Sequence, residues 1–64
     1  MFAIGDFVVE REGHRAPAAF GVVKSLETAN NGEVLLDCQF DTGRWYAFAS
    51  QCLHYKDWLH EHGF

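Results

Sequence analysis

The stretch Glu33-Val34-Leu35-Leu36-Asp37-Cys38-Gln39-Phe40, the turn Asp41-Thr42-Gly43 and the run Arg44-Trp45-Tyr46-Ala47-Phe48-Ala49 decide the fold. Val34, Leu36, Cys38 and Phe40 fall on one side of an extended chain, and Glu33, Leu35, Asp37 and Gln39 on the other. That period of two marks a strand with one buried face, as in antiparallel sheets. Asp41, Thr42 and Gly43 favour a turn, so the second run is expected to fold back on the first as a hairpin. Within it Trp45, Ala47 and Ala49 share one face and Tyr46 and Phe48 the other. Both faces carry apolar bulk, and the pattern leaves open which one is buried.

Upstream, Asn30-Asn31-Gly32 is a second hairpin signal, because Asn and Gly tolerate positive φ. It follows a strand at about 20–26, Phe20-Gly21-Val22-Val23-Lys24-Ser25-Leu26. Gly21 inside that strand predicts a bulge or a close approach of two backbones. Residues 11–19, which include Gly13 and Pro17, read as a loop. Gly5-Asp6 opens a first strand at about 5–10, where Phe7, Val8 and Val9 favour a pleated surface. Downstream, Cys52-Leu53-His54-Tyr55 is a short fifth strand. Residues 56–62 form a helix of about two turns, stopped by Gly63. So short a helix persists in water only when docked, and Trp58 and Leu59 are the expected docking side chains. With turns about every ten residues and neither repeat nor linker, residues 1–64 read as one domain with strands at about 5–10, 20–26, 33–40, 44–49 and 52–55.

A domain of about 60 residues buries only about 60% of its unfolded surface, so it needs a rich core. The composition supplies one: 48% of residues are hydrophobic, with six Phe, two Tyr and two Trp, which excludes a disordered chain. The net charge is −4. Binding to a phosphate backbone rests on clustered Lys and Arg, whereas Arg11, Arg15, Lys24, Arg44 and Lys56 are scattered, which disfavours general nucleic-acid binding. Cys38 and Cys52 are too few for a disulfide scaffold. The first residues lack the basic and apolar regions of a signal peptide, and nothing approaches the ~20 apolar residues of a membrane span. The expectation is a cytoplasmic protein with two reduced thiols.

Four segments, Gly5-Asp6-Phe7-Val8-Val9, Phe20-Gly21-Val22-Val23, Val34-Leu35-Leu36-Asp37 leading to Phe40-Asp41-Thr42-Gly43, and Ala49-Ser50-Gln51-Cys52-Leu53, together resemble the SH3-like small-barrel superfamily, which includes Tudor and KOW modules. The resemblance spans roughly residues 5–55. It implies an all-β fold, a small five-stranded SH3-like barrel with a short C-terminal helix, in which a single helical turn precedes the last strand. Many small stand-alone proteins of bacteria and phages look similar. The basic run of a ribosomal KOW segment is absent, and no aromatic cage for methylated lysine can be placed residue by residue. A fold of this kind implies no particular activity.

Other constellations point to chemistry less directly. Cys52, His54, His60 and His62 are zinc-ligand types, but no CxxC pair accompanies them, and they read as surface histidines with no metal. His14, Asp37, Asp41, Cys38 and Cys52 are residue types used in catalysis, yet each has a simpler place in a turn, loop or core. No phosphate loop, HExxH or GxSxG occurs. The acids Glu10, Glu12, Asp37, Asp41, Asp57 and Glu61 could form a nucleic-acid-like surface or simply keep the chain soluble.

The aromatic set carries the functional expectation. Trp, Tyr and Arg are enriched in binding hot spots, and one barrel interior cannot easily absorb every aromatic here. The chain is expected to be a non-enzymatic, cofactor-free protein-binding module, an adaptor or inhibitor. Arg44, Trp45, Tyr46 and Phe48, with Phe7 and Trp58, would form its contact surface. Its partner would be a protein, with a homodimer as one form of that partnership. The alternative is a nucleic-acid-associated Tudor- or KOW-like module using Arg11, Arg15, Lys24 and Arg44. A third reading is an enzyme whose site forms only in an oligomer.

Overall fold

The computed structural model describes residues 1–11 and 17–63. Within these residues five strands are followed by one helix: β1 Phe7–Glu10, β2 Ala19–Thr28, β3 Val34–Phe40, β4 Gly43–Phe48, a 3-10 turn at Ala49–Gln51, β5 Cys52–His54 and α1 Tyr55–Glu61. All neighbouring strands are antiparallel, and their order is β4-β3-β2-β1-β5. The protein is therefore mostly β, one five-stranded sheet with a short C-terminal helix.

Alternation decides the inner face. Val8, Ala19, Val23, Leu36, Cys38, Phe40, Ala47 and Cys52 form one buried cluster, against which Phe2, Trp45 and Ala49 pack. On β4 the inward side is thus that of Trp45, Ala47 and Ala49. On β2 the inward residues Val23 and Leu26 are three apart, which a regular strand cannot place on one face. A bulge between Val23 and Ser25 makes the adjustment, so that Val23 pairs with Cys38 and Leu26 with Leu36. Bulges also bend and twist a strand, and here the bend curls the sheet around its core.

The outer face has its own apolar layer. Val9 and Leu53, partners across β1 and β5, are both buried on this side. Phe20, the partner of Val9 on β2, meets Trp58 of α1 edge to face, with ring centroids 5.0 Å apart. The expected docking of the helix through Trp58 is what keeps this seven-residue element in place.

Several boundaries differ from the sequence reading. β2 extends to Thr28, because its pairing with β3 runs to Val34. β4 stops at Phe48 and Ala49 opens the 3-10 turn, while Tyr55 belongs to α1 and not to β5. In the β2–β3 connection Ala29 N–H donates to Glu33 O at 2.7 Å, which closes a three-residue loop over residues 30–32. Gly32 N–H donates to Ala29 O at 2.9 Å, and Gly32 alone in that loop has positive φ, at 89°. A turn followed by a left-handed glycine is the usual three-residue hairpin. Gly21 marks a close backbone approach, and the bulge lies further along the strand. A Cβ at Gly21 would sit 2.6 Å from Gln39 O and 2.7 Å from Phe40 Cδ1.

Candidate functional site

In-register partners share a face, so the outer surface can be built row by row. Phe7, Val22, Gln39 and Arg44 form one row across β1 to β4. Ser25, Asp37 and Tyr46 form the next, and Glu27, Leu35 and Phe48 the last. Arg44 grips Asp37 with two bonds, Nε to Oδ1 at 3.0 Å and Nη2 to Oδ2 at 2.9 Å, and Ser25 Oγ donates to Asp37 Oδ2 at 3.2 Å. The Arg44 bonds hold the Asp37 carboxyl below the usual carboxylate range. This polar band divides the outer face into two apolar regions.

On one side of the band lies a groove of about 390 Å³. Its walls are Phe7, Phe20, Val22 and Tyr55, with Gln39 and Asp41 at one end and the backbone of Gly21 in the floor. Phe7 is 67% exposed at the start of β1, where it pairs with Val22 of β2 and the pairing with β5 has not yet begun. Tyr55 and Trp58 both stand against Phe20, so the helix that covers Val9 also shapes the groove. Phe7 and Tyr55 also border a second hollow of about 680 Å³, lined by Asp6, His54, Lys56 and Asp57. The two aromatics form a ridge between an apolar and an acidic depression.

His54 organises the acidic side. Its Nε2 is 3.1 Å from Asp6 Oδ2, its Nδ1 is 3.9 Å from Asp57 Oδ2, and its ring stacks on Phe2 with centroids 4.6 Å apart. Asp6 Oδ2 also accepts the backbone N–H of Ala3 at 2.8 Å. That bond first, and His54 second, lower the carboxyl pKa of Asp6.

The six residues singled out from sequence are not brought together. Tyr46 and Phe48 are 55% and 47% exposed on the far side of the polar band, where Arg44 belongs to the band itself. Trp45 is half-buried on the inner face, stacked on Phe40 at 4.2 Å, and its Nε1–H donates to Glu10 Oε1 at 3.0 Å. Trp58 is half-buried under the helix, and Phe7 stands in the groove. Sequence reasoning missed Phe20 and Tyr55. For Phe20 the available signal was its place two residues before Val22, on the same face of one strand; for Tyr55 there was none beyond its being aromatic.

Of the bases named for phosphate binding, Arg11 is paired with Glu61 at 3.1 Å and Arg44 with Asp37 at 2.9 Å. Lys24 is exposed at the bulge. Arg15, together with His14 and Glu12 of the loop, lies outside the described residues. Burial pushes the Cys38 thiol up to about 11 and that of Cys52 to about 12, so neither offers a thiolate near neutral pH. Among the described residues, no three His, Cys, Asp or Glu side chains converge on a point that could hold a metal ion. Among the described residues, no helix is long and apolar enough to cross a membrane. Compared with known proteins, the chain matches no family model, no curated protein and no solved structure.

Proposed function

We propose that this chain is a non-enzymatic protein-binding module, an adaptor or inhibitor of the SH3-like barrel type, whose contact surface is the groove between Phe7, Phe20 and Tyr55. One observation carries the reading: Phe7, on the outer face at the start of β1, keeps two thirds of its surface in water. Removing such a ring from water is worth about 1.5–3 kcal/mol, and the fold forgoes it. The aromatic walls are braced by Trp58, and pre-ordered walls lose little freedom on binding.

The rim narrows the chemistry of the partner. Asp6, Asp41 and Asp57 border the two hollows, with Lys56 the one base among the lining residues, and the whole chain carries −4. A short segment with an aromatic or branched aliphatic anchor beside a Lys or Arg satisfies both the groove and its acidic border.

Selection from a displayed library of random peptides, followed by calorimetric titration, tests this. Peptides combining an apolar anchor with a basic residue should be enriched. Phe7→Ala and Tyr55→Ala should each weaken them about tenfold, which is about 1.4 kcal/mol, with cooperative melting retained. Enrichment of no peptide, or equal binding by both variants, refutes the proposal.

A further inference from the structure

The second apolar region, Leu35, Tyr46 and Phe48, differs from the groove because it lies along an open sheet edge. β4 ends the sheet, and among the described residues no strand pairs with its outer side. The hydrogen-bonding phase of that side follows from the register. Asp41 donates its backbone N–H to Phe20 O at 2.9 Å, so the neighbouring Phe40 turns its N–H and C=O toward β4, where its partner is Gly43. Backbone direction alternates along a strand. Trp45 and Ala47 therefore also bond to β3, and Arg44, Tyr46 and Phe48 direct their N–H and C=O groups to the open edge.

Exposed edges are ordinarily blunted by shortness, proline, lysine or a bulge. β4 has six residues with neither proline nor lysine, and its pairing with β3 is unbroken. It contains no acid, and its single charge, Arg44, is already held by Asp37. The opposite edge, β5, has three residues and runs straight into α1. Among the described residues, a strand of matching length with its edge unpaired is therefore found only in a second β4.

We propose that two copies of this chain pair β4 to β4, antiparallel about a two-fold axis, into one continuous sheet. Edge-facing residues must oppose edge-facing residues, and an axis through Tyr46 is the arrangement that engages all three of them. Tyr46 then opposes Tyr46 of the second copy, and Arg44 opposes Phe48 on either side. The centre is an aromatic cross-strand pair flanked by guanidinium–aromatic contacts. On the inner face bulky Trp45 opposes small Ala47. The two Arg44 residues stay four positions apart, about 13 Å along the strand.

Sedimentation from micromolar to millimolar concentration, with amide exchange on the same samples, tests the pairing. The wild type should pass from monomer to dimer. Exchange at Arg44, Tyr46 and Phe48 should slow as it does, while Ala47 stays slow throughout. Tyr46→Lys and Tyr46→Glu should each weaken association at least about tenfold, because like charges would face each other across the axis. An equimolar mixture of the two should recover it. A wild type that stays monomeric with fast Tyr46 exchange overturns the proposal, and so does a mixture no better than its components. The variants lie across the polar band from Phe7, so peptide binding in the groove reports separately.

Discussion

Trp45 on β4 donates its indole N–H to the Glu10 carboxylate on β1 at 3.0 Å, although β3 and β2 stand between those strands in the sheet. Strands in a flat sheet are about 4.8 Å apart, which would separate β4 from β1 by about 14 Å. The bond therefore reports how far the sheet curls on its inner face. Trp45→Phe removes the donor and keeps an aromatic ring against Phe40. It should lower unfolding free energy by about 1.5–3 kcal/mol, the worth of a hydrogen bond to a charged acceptor. Urea denaturation of Trp45→Phe, Glu10→Ala and the double variant should give non-additive losses. Strict additivity would mean that the two side chains do not interact.

Cys38 and Cys52 stand in the buried cluster, and burial raises their thiols to about 11 and about 12. The thiolate is the reactive form. A disulfide reagent such as Ellman's should therefore titrate neither thiol in the native protein at neutral pH and both in denaturant. Rapid reaction of the folded protein would show that the inner face opens easily.

Gly21→Ala places a methyl group 2.6 Å from Gln39 O and 2.7 Å from Phe40 Cδ1. The first is backbone within the β2–β3 pairing, one pair from its end, and cannot give way alone. Overpacking of this kind costs about 1–3 kcal/mol, so the variant should melt well below the wild type. A wild-type melting temperature would mean that β2 and β3 separate more readily than their register implies.

Side-chain period was legible wherever it is a purely local property. Leu36, Cys38 and Phe40 are buried as their alternation predicts, and Ala47 decides the inward face of β4. The bulge at Lys24–Ser25 was not legible, because a three-residue spacing such as Val23 to Leu26 acquires meaning only against a partner strand. The groove was half legible for the same reason. Phe7 was named among the aromatics expected at a contact surface, but Phe20 and Tyr55 reach it from elements whose meeting depends on the docked helix. The Asp6–His54 contact joins residues 48 positions apart, and no local pattern announces it. Trp45 and Tyr46 looked alike as neighbouring aromatics; the single step between them puts one half-buried against the core and the other in water.

Acid should weaken the fold through Asp6. Its folded-state carboxyl is held below the ordinary 3.8, chiefly by the Ala3 N–H and then by His54. A carboxyl with a depressed folded pKa contributes stability that is fully present above its unfolded value. That contribution is lost as pH falls from there through the folded value. Urea midpoints should accordingly drop for the wild type between pH 5 and pH 2, the span bracketing ordinary carboxyl titration. Asp6→Asn should be less stable at neutral pH and show a shallower decline. An identical decline in both proteins would assign the acid sensitivity to other groups, with Asp37, lowered mainly by Arg44, the next to replace.

Trp58 is the joint between helix and sheet. Its ring meets Phe20 at 5.0 Å and stacks on His62 at 4.1 Å, and α1 has only seven residues, too few to persist undocked. Trp58→Ala should release the helix and wet Val9 and Leu53, both buried on the outer face. The expected loss is about 3–5 kcal/mol, read as a lower urea midpoint together with loss of the helical circular-dichroism signal. Trp58→Phe retains a ring for Phe20 and should recover most of it. Since Tyr55 is the first residue of α1, the alanine variant should also lose the groove wall, and with it the peptides selected on the wild type. Retention of peptide binding by a protein whose helix has melted would move the contact surface away from Tyr55 and onto the strands alone.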